Sequence, residues 1–155
     1  MATTYKSLQA EAGVQPHAGI GPHEAYAEFD LALAVGSGGS GGTALVVNDV
    51  IEMIKIPKDA RILDVLLSSD DLDTDGTPAI ILDVGDTDGT PDPDRYIDGA
   101  TVGQAGGLQG MNNKAGHLYQ FTANGTLNVL VETAPDVGTT TGKIKLSARY
   151  TMAQK

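Results

Sequence analysis

Cysteine is absent from the 155 residues, which excludes disulfides, thiolate metal sites and a cysteine nucleophile, and leaves the fold to packing and assembly. Tryptophan is absent too, beside only two Phe and five Tyr. A sugar-cleaving cleft, which needs aromatic platforms and an apolar wall to raise one carboxyl pKa, has little to be built from. No apolar run reaches 18 residues, and the opening Met1-Ala-Thr-Thr-Tyr-Lys6 lacks the apolar stretch of a secretory leader, so neither membrane spanning nor export is expected. Positive charge is scarce: ten Lys and Arg against twenty Asp and Glu give a formal net charge of -10. Phosphate backbones and anionic membrane surfaces would be repelled, so no nucleic acid and no membrane are expected as partners, and synthesis in the cytoplasm is.

What is abundant is glycine, with 20 residues, and aspartate, of which twelve lie between positions 59 and 98. The core must therefore come from Val, Ile, Leu and Ala, enough for one domain of this length. Residues 1–24 have no clear period and carry Pro16 and Pro22, which predicts an extended N-terminal arm. Residues 25–155 form the remaining domain. From Ala27 the chain alternates, with Phe29, Leu31, Leu33 and Val35 on one face, as a half-buried strand does. Gly36-Ser-Gly-Gly-Ser-Gly-Gly42 follows as a loop. Leu45 to Ile56 is rich in β-branched residues, with a slip near Asn48-Asp49 that predicts a bulge or tight turn. After a turn at Ile56 to Ala60, Leu63, Val65 and Leu67 point inward, as do Ile80, Leu82 and Val84 further on. Leu118 to Thr122, Asn124-Gly125 and the set Leu127, Val129 and Val131 read as a hairpin. Ile144, Leu146, Ala148, Tyr150 and Met152 alternate with Lys143, Lys145, Ser147, Arg149 and Thr151 as a last amphipathic strand. Seven or eight short strands and no helical period predict an all-β fold, a β-sandwich with the jelly roll as its candidate form.

No residue set assembles a catalytic site. The six Ser have no neighbouring His in sequence, no Gly-x-Ser-x-Gly elbow occurs, and the three His are His17, His23 and His117; the first two fall in the arm, and His117 reads as a surface or interface residue. No enzyme is expected. Asp71-Leu-Asp-Thr-Asp-Gly76 matches the opening of an EF-hand calcium loop, in which alternate carboxylates converge on the ion. Its twelfth position is Leu82 where a bidentate Glu belongs, and no helix frames it. Asp-Thr-Asp-Gly-Thr-Pro occurs at 73–78 and again at 86–91, a repetition that acidic turn chemistry explains without metal. Asp70, Asp71, Asp73, Asp75, Asp86 and Asp88 are the ligands if calcium binds, as a staple between loops. Gly99 to Gly110 is a second glycine-rich loop, suited either to a surface excursion or to a contact.

The order of segments carries a resemblance. The Met-Ala-Thr-Thr-Tyr-Lys-Ser arm, Ala25-Tyr-Ala-Glu-Phe29, Val50-Ile-Glu-Met-Ile-Lys-Ile-Pro-Lys-Asp-Ala-Arg-Ile-Leu-Asp64, Leu82-Asp-Val-Gly-Asp86 and Asp94-Arg-Tyr-Ile97 resemble the small cement or decoration proteins of bacteriophage heads over most of residues 1–100. The resemblance implies a β-sandwich or jelly-roll subunit, a homotrimer or dimer, seated on the capsid exterior and bridging neighbouring major capsid protein subunits in the virion. It assigns no contact residue and no cofactor. Two other readings stand beside it: a calcium-stapled binding module of lectin-like, adhesin or host-attachment type, and a hydrolase on a β scaffold, which lacks a nucleophile.

Overall fold

Alternating burial along the chain sets the architecture, because each strand hides one face and must find a second sheet to cover it. The computed structural model describes residues 3–6, 22–34 and 42–152. Nine strands occur among them: β1 (Thr4–Lys6), β2 (Pro22–Asp30), β3 (Val50–Ile56), β4 (Ala60–Ser69), β5 (Ile81–Asp86), β6 (Asp92–Ala100), β7 (Gly107–Gly110), β8 (Gly125–Thr133) and β9 (Lys143–Met152). They form two sheets, ordered β1-β3-β8-β5-β6 and β2-β9-β4-β7. Every pairing among them is antiparallel except that of β1 with β3. The fold is an all-β sandwich, as the alternation predicts.

The core lies between the sheets. Ile51, Ile56, Leu82, Val84, Leu127, Val129 and Val131 from one, and Ala27, Ile62, Val65, Leu67, Ile144, Leu146 and Tyr150 from the other, are all fully buried. Strand β9 is the plainest case of sequence dictating structure: Ile144, Leu146, Ala148 and Tyr150 are buried while the intervening residues face outward. On that outer face Arg149 lies between Glu24 and Asp64, Lys145 opposite Glu28, and Lys143 opposite Asp30. The β9 cations are thus flanked by carboxylates, with Lys143 Nζ bonded to Glu28 at 2.5 Å.

Several expectations are corrected. The alternation from Ala27 ends early: β2 stops at Asp30, whose side chain caps a 3-10 turn at Leu31–Leu33, and Leu33 is 68% exposed. Val35, His17 and most of the Gly36–Gly42 run lie outside the described residues. Leu63 does not point inward. A bulge between Ile62 and Asp64 resets the pleat, so that Ile62, Val65 and Leu67 share the buried face. The slip expected near Asn48 is a turn, with Asn48 at φ 66, and a separate bulge between Glu52 and Ile54 buries Met53 and Ile54 in succession. Leu118 to Thr122 is not a strand, and Asn124-Gly125 does not close a hairpin. Residues 118–121 instead run beside the start of β4, with Phe121 N–H bonded to Ala60 O at 2.8 Å and Ile62 N–H to Tyr119 O at 2.9 Å. The chain then crosses to the other sheet, where β8 pairs with β3 and β5. Nine strands replace the expected seven or eight: β1, β6 and the short β7 lie outside the strands that the alternation predicts, while 118–122 is not a strand. Within the stretch 1–24, Thr4–Lys6 and the first residues of β2 belong to the sheets.

Gly85 shows how tightly β5 and β6 approach. A Cβ there would collide with the Asp92 carbonyl oxygen and with the Pro93 backbone, atoms that cannot swing aside. Gly85→Ala is expected to lower stability by about 3 kcal/mol or more in denaturant titration; a loss below about 1 kcal/mol would show that the β5–β6 contact opens freely.

Candidate functional site

The acidic segments sit at opposite ends of the sandwich and have one job in common. At the end where β4 finishes and β5 begins, Asp73 is buried, and its two oxygens accept from the backbone N–H groups of Ala79 (2.7 Å), Ile80 (3.2 Å), Asp136 (3.2 Å) and Val137 (3.1 Å). One carboxylate thereby joins the 70–80 connection to the 134–142 loop, 64 residues away. These donors outweigh burial and hold its pKa down at about 2, as a carboxylate taking several backbone N–H bonds should be. At the same end Asp70 accepts from Lys143 N–H at 2.9 Å. Buried Asp49 takes Val46 N–H at 2.9 Å and Thr3 N–H at 2.6 Å.

At the opposite end the second copy of the repeat follows the same principle. Asp88 accepts from Thr122 N–H (2.7 Å), Ala123 N–H (2.9 Å) and the Tyr119 hydroxyl (3.0 Å), fixing the long 111–124 connection; these bonds lower its pKa against the effect of burial. Asp86 accepts from Arg95 Nε and the Tyr96 hydroxyl, both at 2.7 Å. Burial dominates there and raises the Asp86 pKa. The Arg95 guanidinium lies over the Tyr119 ring, 3.9 Å from its centre, closing a network from β5 through β6 to the 111–124 loop.

The six candidate calcium ligands are thus brought together only in part. Asp86 and Asp88 share one network, while Asp73 serves a different loop. Asp71 accepts from Asp73 N–H and Asp75 from Thr77 N–H, as Asx turns do. Calcium needs six to eight oxygens with free lone pairs, and the buried carboxylates here are committed to N–H and O–H donors. Among the described residues no group of three or more His, Cys, Asp or Glu side chains is placed to hold a metal ion. What sequence reasoning missed is the anchoring role itself, for which the repeated Asp-Thr-Asp-Gly-Thr-Pro was the available signal.

Among the described residues catalytic geometry is not evident either. His23 stacks on Tyr150 with ring centres 5.2 Å apart, and His117 is exposed in a turn. A cleft of about 330 Å³ is lined by Asp98, Asn112, Asn113 and Lys114, which supply neither a nucleophile paired with a base nor an apolar wall.

What the described surface does offer is exposed apolar side chains on loop tips. Leu33, Val46, Val47 and Val137 lie on the 31–49 and 134–142 connections, at the end that Asp73 and Asp49 anchor. The two connections touch: a Cβ added at Gly138 would come within 2.9 Å of Ala44 Cβ, and Leu31 N–H bonds to Gly142 O at 2.9 Å. These tips are held on a rigid base, as a recognition surface requires.

Asp73→Ala should cost about 3 kcal/mol in denaturant titration at neutral pH, because five backbone donors, Asp75 N–H among them, lose their acceptor. Asp73 and Asp88 have folded pKa values below the ordinary carboxylate value. Their stabilisation is complete above that unfolded value, about 3.9, and is lost as pH falls through the folded values, for Asp73 about 2. Asp83, Asp86 and Asp94 are raised and act oppositely: their contribution is present at low pH and lost as pH rises through their folded values. Asp73→Asn is therefore expected to flatten the fall in stability between about pH 4 and 2; an unchanged acid profile would refute the anchoring role. Calcium and EDTA are expected to leave Tm the same within about 1 °C, whereas a calcium-dependent rise of about 5 °C would restore the staple.

No protein-family model and no curated protein matches the sequence. Solved structures do. A chain of the capsid of Ralstonia phage GP4 is similar over 98% of this chain and 99% of its own length, with a TM-score of 0.79 and 25% identity. A chain of the cyanophage Pam1 capsid asymmetric unit is similar over 90% and 92%, with a TM-score of 0.70 and 26% identity. A chain of the acidic stable capsid of Helicobacter pylori bacteriophage KHP30 shares the fold at 17% identity and a TM-score of 0.54. These likenesses along nearly the whole chain support a bacteriophage capsid-related protein.

Proposed function

We propose that the chain is a structural virion protein that binds the outside of a phage capsid, cements neighbouring coat subunits and works as a homotrimer or dimer without catalysing a reaction. The observation that carries this is the end-to-end likeness to a chain of the GP4 phage capsid. The strand order supports the jelly-roll form: past β1, the sheets read β3-β8-β5-β6 and β2-β9-β4-β7, so the chain passes repeatedly from one sheet to the other, as in two interlocked Greek keys. Such a scaffold delivers its long connections to the two ends, where a lattice can be gripped.

The docking end in this reading is the one that carries Leu33, Val46, Val47 and Val137. Leu33 is 68%, Val137 50% and Val47 48% exposed, and apolar tips set among polar loops give a contact its energy without a deep pocket. The partner is the major capsid protein, and the place is the virion exterior. The excess negative charge suits a surface subunit better than one facing packaged nucleic acid.

Purified chain added to capsids that lack it should co-sediment with them and appear as outward density in cryo-electron microscopy. Absence of binding at micromolar protein would sink the cement reading. Val47→Glu combined with Val137→Glu should weaken capsid binding at least about tenfold while Tm moves by no more than about 2 °C. Undiminished binding by that variant would assign docking to another face.

A further inference from the structure

A sheet ends in strands whose outward N–H and C=O groups lack a ladder partner, and folded chains blunt such edges with charge, proline, brevity or a covering segment. Three of the four sheet edges follow that rule. β2 carries Pro22, Glu24, Glu28 and Asp30, and β1 is only three residues long and ends in Lys6. β6 is covered by the 111–124 connection. Asn112 and Asn113 N–H both donate to Tyr96 O, and the Asn112 side-chain amide takes Asp98 N–H and donates to Asp98 O, at 2.8 Å each. Asn113 Nδ2 donates to Asp94 O at 3.0 Å.

The fourth edge, β7, has neither charge nor proline nor cover. Residues 99–113 around it hold no charged residue and no proline, in a chain of net charge -10. Met111 N–H donates to Val65 O at 2.9 Å, and in the same register Leu66 pairs with Gly110, Leu67 with Gln109 and Ser68 with Leu108. Hydrogen-bonded pairs alternate along an antiparallel ladder. Gln109 therefore bonds to β4, while the N–H and C=O of Leu108 and Gly110 point away from it. Among the described residues their one outward partner is the flexible Gln109 side-chain amide, which donates to Gly110 O at 2.9 Å. The side chains fit the same end. Leu108 is 65% exposed, and a Cβ at Gly110 would meet only Leu66 Cδ1, at 4.0 Å, so Gly110 leaves a shallow notch beside Leu66.

We propose that β7 pairs antiparallel with β7 of a second copy across a two-fold axis at Gln109, joining the two β2-β9-β4-β7 sheets into one sheet of eight strands. In that register Leu108 stands opposite Gly110 of the second copy, and Gly110 opposite its Leu108. The two pairs exchange four backbone hydrogen bonds, and each Leu108 side chain lies over a glycine notch, a self-complementary fit of large against small. Charge favours a second copy at this edge. Two chains of net charge -10 repel one another, and least where they meet along an uncharged segment. The inference rests on the reading of the chain as a self-associating subunit, and deepens it by choosing the two-fold and naming the strand that makes it.

Amide hydrogen exchange of the wild-type chain, followed by NMR over a concentration series whose particle mass is read by sedimentation, supplies the test. The chain should pass from monomer to dimer, and the Leu108 and Gly110 amides should slow at least about tenfold as it does so. Gln109 N–H, held by β4, should be slow throughout. Leu108→Lys sets a charge on the edge, and Gly110→Pro removes an outward donor without removing a bond to β4. Each should abolish the dimer while Tm stays within about 3 °C of wild type; should the proline variant fail to fold, the lysine variant decides. A wild-type chain still monomeric at about 1 mM overturns the proposal. So does a dimer in which both amides stay fast, or amides that slow only when capsids are added, which would give this edge to the coat protein. Capsid binding is scored separately. Pairing through β7 in a chain that ignores capsids would remove the cement reading and keep this one; capsid binding by a chain that never pairs would do the reverse.

Discussion

The structure depends on buried carboxylates that accept backbone N–H groups from distant loops. A chain without disulfides and poor in aromatics must fix its long connections by other means. An ionised acid suits that role, because it offers several lone pairs in one place and each charge-assisted bond is stronger than a neutral one. Asp73 ties 70–80 to 134–142, Asp88 ties the end of β5 to 111–124, and Asp49 ties the 42–49 connection to β1. Removing an acceptor leaves donors stranded in a low-dielectric setting, so these few residues govern whether the loops have a shape at all.

The parts legible in the sequence were those governed by local rules. The β9 alternation and the turn at Ile56 to Ala60 follow from side-chain period and backbone preference, and the structure keeps both. The failures have a common cause in tertiary contact. Asn124-Gly125 has the chemistry of a hairpin turn, yet Asn124 Oδ1 accepts from Lys58 N–H at 2.9 Å, and a Cβ at Gly125 would come within 2.9 Å of the Phe121 ring. The pair is needed for close approach to a neighbour 66 residues away, which no window of adjacent residues displays. Leu63 is only half-buried, against the alternation, because one extra residue in β4 shifts everything after it by a pleat. The acidic repeats were visible, but the distant loops they hold are 31 to 64 residues off, so their purpose was not.

Both ends of the sandwich therefore carry loops with defined shapes while the faces are ordinary sheet. This division of labour matches what a lattice-bound subunit must do. The interior resists deformation because it is close-packed, and the connections present side chains outward. At the end near Val46 and Val137 those side chains are apolar; at the other, Arg95, Tyr96 and Tyr119 are drawn inward around Asp86 and Asp88, with Leu118 exposed beside them.

The three β9 cations are matched by carboxylates on β2 and β4. With Arg61 of β4, four of the chain's ten basic residues are spent on that one surface, so the uncompensated negative charge falls on the rest of the molecule. The subunit is electrically lopsided. In the field of a charged surface such a particle experiences a torque before any atoms touch.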